Sequence, residues 1–174
     1  MRRTVLMSIG LLMVMGLAGS GHGREVKILV LDDCDAGDPG WAPTGGCTLR
    51  SGDVTLAEFQ SHGFFGHPAW RFESSYEKVR PGDEIIVRNK GGRRHTFTEV
   101  AKFGNGVVPP LNIPGQATVP ECGDPANLPN DLPAGTALKL TADDPGTHLF
   151  QCCFHPWMRA AINVEEKRKH DHER

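Results

Sequence analysis

The stretch "THLFQCCFHPWMRAAINV", residues 147–164, sets the reading of this chain. Its two ends, THLFQC and RAAINV, read as short strands. Between them, "CCFHPWM" (152–158) brings two adjacent thiols, an imidazole and a thioether together beside Phe154 and Trp157. A strand, a short donor-rich loop and a second strand make a rigid frame that can present several side chains to one point. Adjacent residues on an extended chain point to opposite sides, so Cys152 and Cys153 do not share that point.

Outward from this stretch the pattern stays short and stranded. "VKILVL" (26–31), "YEKV" (76–79), "EIIVRN" (84–89), "HTFTEV" (95–100) and "TALKLTA" (136–142) are strand-like runs. They are punctuated by turns at Arg80–Gly82, Gly91–Gly92 and Asp144–Gly146. In HTFTEV, strict alternation puts His95, Phe97 and Glu99 on one face and Thr96, Thr98 and Val100 on the other. One helix start is convincing: Thr55 and Glu58 have capping-box spacing ahead of Gly63. The segment 34–47 and the Pro/Gly-rich excursion 104–136 read as irregular loops. Scarce helix and many short strands predict an all-β sandwich with one short helix and long irregular loops, spanning residues 24–164.

Arg2 and Arg3 precede an apolar run from Val5 to Ala18 that ends in Ala18, Gly19 and Ser20. This reads as an export signal over residues 1–20, too short for a membrane span, and no later segment is apolar enough to cross a bilayer. The expected location is therefore periplasmic or extracellular. The tail from Glu165 to Arg174 is charged throughout, lacks apolar anchors and reads as disordered. The formal net charge is −2, with no basic stripe, which excludes a nucleic-acid partner. Five cysteines in an exported chain permit disulfides and leave at least one thiol unpaired.

That thiol fits the loop's own chemistry. Cys152, His155 and Met158 follow a CxxHxxM spacing, which carries a thiolate at a strand end and two further donors on the turn after it. His95, at the start of a strand behind a Gly-rich turn, supplies a second imidazole. Two His, one Cys and a weak axial Met form the donor set of a blue-copper electron-transfer centre, so copper is the expected cofactor.

"GTHLFQCCFHPWMR" resembles the copper loop of amicyanin-like and plastocyanin-like cupredoxins, and "VRPGDEIIVRN" leading to His95 resembles the approach to their first ligand. The resemblance implies a Greek-key β-sandwich holding one type 1 copper through His95, Cys152, His155 and Met158. It also implies that Asn89 ties the two ligand-bearing loops together by hydrogen bonds. Its functional implication is a monomeric electron carrier, not a stand-alone enzyme, with redox partner proteins docking near His155 and Trp157. The alternative is a copper carrier or storage protein using the same ligands. With Cys152 given to metal, four cysteines allow three pairings. Cys122 with Cys153 and Cys34 with Cys47 is the expected one. His62, His67 and His148 have no ligand spacing and read as structural. Asp32, Asp33, Asp35 and Asp38 read as a solvated acidic loop.

Overall fold

The computed structural model describes residues 23–166. The export-signal reading of residues 1–20, and the reading of the tail beyond Glu166 with His170 and His172, fall outside the described residues. The strands in chain order are β1 (Glu25–Leu31), β2 (Arg71–Glu73), β3 (Tyr76–Val79), β4 (Glu84–Asn89), β5 (His95–Thr96), β6 (Thr98–Val100), β7 (Asp131–Leu132), β8 (Ala137–Thr141), β9 (Gly146–Gln151) and β10 (Arg159–Val164). Between β1 and β2 lies the α-helix α1 (Leu56–Ser61).

Eight of these strands form two four-stranded sheets, ordered β2-β1-β4-β8 and β3-β10-β9-β6. The chain crosses between the sheets five times, from β2 to β3, β3 to β4, β4 to β6, β6 to β8 and β8 to β9. The parallel pairs β1–β4 and β3–β10 follow from these crossings.

Alternation decides which side of each strand is buried. Val26, Ile28 and Val30 of β1 point inward, and the β1–β4 register sets them beside Ile85, Val87 and Asn89. From the opposite sheet β10 contributes Ala160, Ile162 and Val164. Phe97 anchors the core between the sheets, stacked on Phe150 at 4.4 Å between ring centroids and met edge-on by Phe72 at 5.0 Å.

HTFTEV departs from the single alternating strand expected of it. It breaks at Phe97: β5 pairs with β7 in a separate two-stranded ladder, while β6 pairs with β9. The excursion covers what would have been an exposed face. Phe97 N–H donates to the Asn130 carbonyl (3.1 Å), and Asn130 Nδ2 donates back to the Phe97 carbonyl (3.0 Å). His95, Thr96, Phe97 and Thr98 are consequently all buried, and only Glu99 keeps its polar face to solvent.

The excursion is itself ordered. Asn105 braces it, donating from Nδ2 to the carbonyls of Ile113 and Gln116 and accepting from the Ile113 amide, while Asn112 exchanges two bonds with Gly106. A disulfide between Cys122 and Cys153 then pins it to the loop after β9. Gly106 lies so close to that loop that a Cβ there would meet the Cys153 carbonyl oxygen at 2.0 Å. A second disulfide, Cys34–Cys47, closes the irregular segment after β1. Among the described residues no helix is long and apolar enough to cross a membrane.

Candidate metal centre

The loop between β9 and β10 is closed at its base. Cys152 N–H donates to the Met158 carbonyl (3.1 Å), and Met158 N–H donates to the His155 carbonyl (2.9 Å). The second bond makes a four-residue turn from His155 to Met158. Pro156 stands at its second position, where a fixed φ favours the turn. Met158 is 1% exposed and belongs to the same apolar cluster as Cys152. Cys152 is the free cysteine among the described residues.

Three donors converge here. The sulfur of Cys152 lies 3.7 Å from His95 Nδ1 and 3.5 Å from His155 Nδ1, and the three atoms all lie within 4.8 Å of one another. Metal–sulfur and metal–nitrogen bonds of about 2.3 and about 2.0 Å, at a roughly tetrahedral angle, put sulfur and nitrogen about 3.6 Å apart. The spacing therefore fits one ion held by all three. His95 and Cys152 are fully buried and His155 is 7% exposed.

Two further residues, which the sequence did not single out, hold the donors in place. Thr96 joins the two ligand-bearing segments: its N–H donates to the Cys152 sulfur (3.4 Å), and its hydroxyl accepts from Cys153 N–H (2.8 Å). This corrects the role expected of Asn89. Asn89 is buried, but its Nδ2 donates to the carbonyls of Arg93 and Leu132, and its Oδ1 accepts from Gly91 N–H. It secures the turn before His95 and does not reach the Cys152 loop.

The second is Asp32, which alone in the acidic run departs from the solvated reading by being buried. Asp32 Oδ2 lies 2.8 Å from His95 Nε2, with both side chains fully buried. Its oxygens also accept from the amides of Gly92 (2.9 Å), Arg93 (3.0 Å) and Cys34 (3.5 Å). The missed signal was phase: Asp32 continues the even-numbered inward series Val26, Ile28, Val30 of β1.

The charges follow from this packing. Burial pushes the Asp32 carboxyl up, but the His95 bond and the Gly92 and Arg93 amides outweigh it and hold the group below its ordinary value. Burial pushes His95 down, yet Asp32 on one side and Cys152 on the other raise it to about 9. Burial likewise opposes ionisation of Cys152, and the neighbouring His95 overcomes it and lowers the thiol's pKa. His155 is held well below its ordinary value by burial and by the nearby His95 and Arg93 charges, so its imidazole is neutral. A metal ion would replace the His95 Nδ1 proton with a larger positive charge at the same place.

Aromatic rings cover the His155 side. Phe59, carried by α1, packs on Trp70 at 4.6 Å and meets His155 edge-on at 5.8 Å, and Trp157 meets His155 at 5.6 Å. His155 also lines a cavity of about 550 Å³ shared with Trp41, Phe59, Leu111 and Phe154, with Arg93 and Arg94 on its wall. The three histidines read as structural have local partners: His67 pairs with Glu58, His148 with Glu99, and His62 packs on His67.

No protein-family model matches the sequence, and no curated protein is similar to it. Among solved structures, the novel purple cupredoxin from Nitrosopumilus maritimus is 14% identical, with 80% of this chain and 98% of that chain covered at a TM-score of 0.42. A reduced amicyanin variant is 24% identical, covering 55% of this chain and 73% of its own at a TM-score of 0.37. A Cu(I) amicyanin variant is 22% identical over the same shares, also at 0.37. The strand order given above is that of an all-β sandwich of two four-stranded sheets.

Proposed function

We propose that this chain is a copper-binding electron-transfer protein with a single type 1 (blue) copper centre, held by His95, Cys152, His155 and Met158. One observation carries the reading: two imidazole Nδ1 atoms converge on one buried thiol sulfur, at 3.5 and 3.7 Å, on a loop that ends in a buried methionine. Soft sulfur with borderline nitrogen suits copper in both oxidation states. Bound copper supplies a one-electron couple.

The protein's part is to keep its donors still. His95 stands on β5, Cys152 follows β9, and Thr96 bonds the two segments to each other, so the backbone itself fixes the spacing of these donors. The residues flanking Cys152 have other duties that support a carrier over a catalyst. Gln151 accepts from the Gly104 amide, and Cys153 is in a disulfide. Electrons would pass at the His155 side, the least buried donor, with partner proteins docking near His155 and Trp157. Two disulfides support a location outside the cytoplasm, where thiols oxidise. The protein acts as a monomer in this reading.

Burial also separates electron transfer from copper delivery. Handing on the metal needs an incoming ligand to reach it, whereas His95 and Cys152 are 0% exposed. The test is to load the protein with copper, then reduce and reoxidise it repeatedly beside a Cu(I) chelator. Retention of one copper through the cycles supports the carrier, and loss on each reduction supports delivery.

A further inference from the structure

Resting on the copper reading, we propose that Asp32 is a positioning residue of the metal centre: its carboxylate grips the Nε2–H of His95, turns Nδ1 toward the ion and favours the oxidised over the reduced state.

The tautomer follows from the bonding. An ionised carboxylate only accepts, so at 2.8 Å the His95 Nε2 must be the donor, which leaves Nδ1, facing Cys152, as the nitrogen that gives up its proton to bind metal. The carboxylate is itself immobilised by three backbone amides, from Gly92, Arg93 and Cys34. The turn is shaped around it: a Cβ on Gly91 would stand 2.0 Å from Asp32 Oδ2, and one on Gly92 would stand 2.7 Å from the Cys34 sulfur. The Cys34–Cys47 disulfide anchors the segment on its far side. This is a carboxylate–histidine–metal arrangement, in which the outer partner fixes the ring and raises its basicity. Among the described residues His155 has no carboxylate partner, and its ring is packed by Phe59 and Trp157.

The bias between oxidation states comes from charge counting. Asp32 adds a negative charge one imidazole away from the ion in a dry site, and the Arg93 guanidinium, which bonds the carbonyls of Thr44 and Gly46 and lies over Trp41, is the same in both oxidation states. A doubly charged ion is attracted to that carboxylate more strongly than a singly charged one, so the carboxylate favours the oxidised state.

Asp32→Asn keeps the shape and removes the charge. It should weaken Cu(II) affinity about 10–100-fold while changing Cu(I) affinity much less, so the reduction potential rises, by about 59 mV for each tenfold difference. Asp32→Glu, which keeps the charge on a longer arm, should recover part of the shift. A potential and Cu(II) affinity equal to wild type in a variant that retains its thiolate-to-copper absorption overturns the proposal. Because Asp32 also holds backbone amides, a measurement on the unaltered chain stands beside these variants. In the ¹⁵N-labelled Cu(I) protein, His95 Nε2–H should appear far downfield and exchange slowly with water. A fast-exchanging or absent Nε2–H overturns the proposal as well. A wild-type protein without the copper band sinks the copper reading, and this inference with it. A wild type that has the band but an Asp32→Asn potential that does not move sinks the inference alone.

Discussion

At the scale of single residues, Cys152 carries most of the chemistry. Cys152→Ser should abolish the intense visible thiolate-to-copper band, read by absorption of copper-loaded protein, while the metal-free variant keeps its strand content by circular dichroism. A band that survives would move the ligand role elsewhere. Met158→Gln should retain copper yet lower its potential, because an oxygen donor on the axis favours the harder oxidised ion. An unchanged potential would remove Met158 from the axial place. The clustering of Cys152, His155 and His95 was legible in the sequence because a loop shows its donors as spacing. Asp32 was harder to see. Its neighbours Asp33, Asp35 and Asp38 give it the look of a solvated run, and only the inward phase of β1 marks it as buried. Thr96 was invisible for a different reason. Its bonds go to residues 152 and 153, far along the chain, and nothing local to Thr96 announces them.

At the scale of elements, the strands flanking the loop were readable because their runs alternate, and α1 was readable because Thr55 accepts from the Glu58 amide as a cap should. The excursion was not. Its order comes from side-chain amides such as Asn105 bonding backbone at irregular intervals, and from Cys122–Cys153, none of which leaves a periodic trace. That disulfide closes a sequence separation of 31 residues. Removing it as the double variant Cys122→Ser with Cys153→Ser should cost about 3–4 kcal/mol by loop-closure entropy, measured by urea unfolding. A loss under about 1 kcal/mol would mean that the Asn105 network holds the excursion unaided. Phe59 links α1 to the metal side. Phe59→Ala should cost about 3–5 kcal/mol as a core truncation. It should also broaden the His155 ring resonances, because one wall of that imidazole is gone.

At the scale of the whole molecule, the buried pair Asp32–His95 makes the metal-free protein's stability depend on pH in a defined sense. His95 is raised from 6.5 to about 9, so its contribution is full below 6.5 and is lost as pH rises toward 9. Asp32 is lowered from 3.8, so its contribution is full above 3.8 and is lost as pH falls through the lower folded value. Metal-free protein should therefore lose the His95 share of its unfolding free energy between pH 6.5 and 9, offset in part by the lowered Cys152 thiol, which gains over the upper part of the same range. The copper-loaded protein should not, because His95 there has no Nδ1 proton to release. Identical pH profiles for the two forms would mean that His95 is not a ligand. In the proposed function the sandwich, the two disulfides and the buried donor cluster would serve one arrangement, in which His95, Cys152, His155 and Met158 hold a single redox-active ion. Its most direct test is the absorption spectrum of purified protein titrated with cupric salt. The account predicts an intense blue band that saturates at one copper per chain and bleaches reversibly on reduction. Protein that stays colourless and takes up no stoichiometric copper would contradict it.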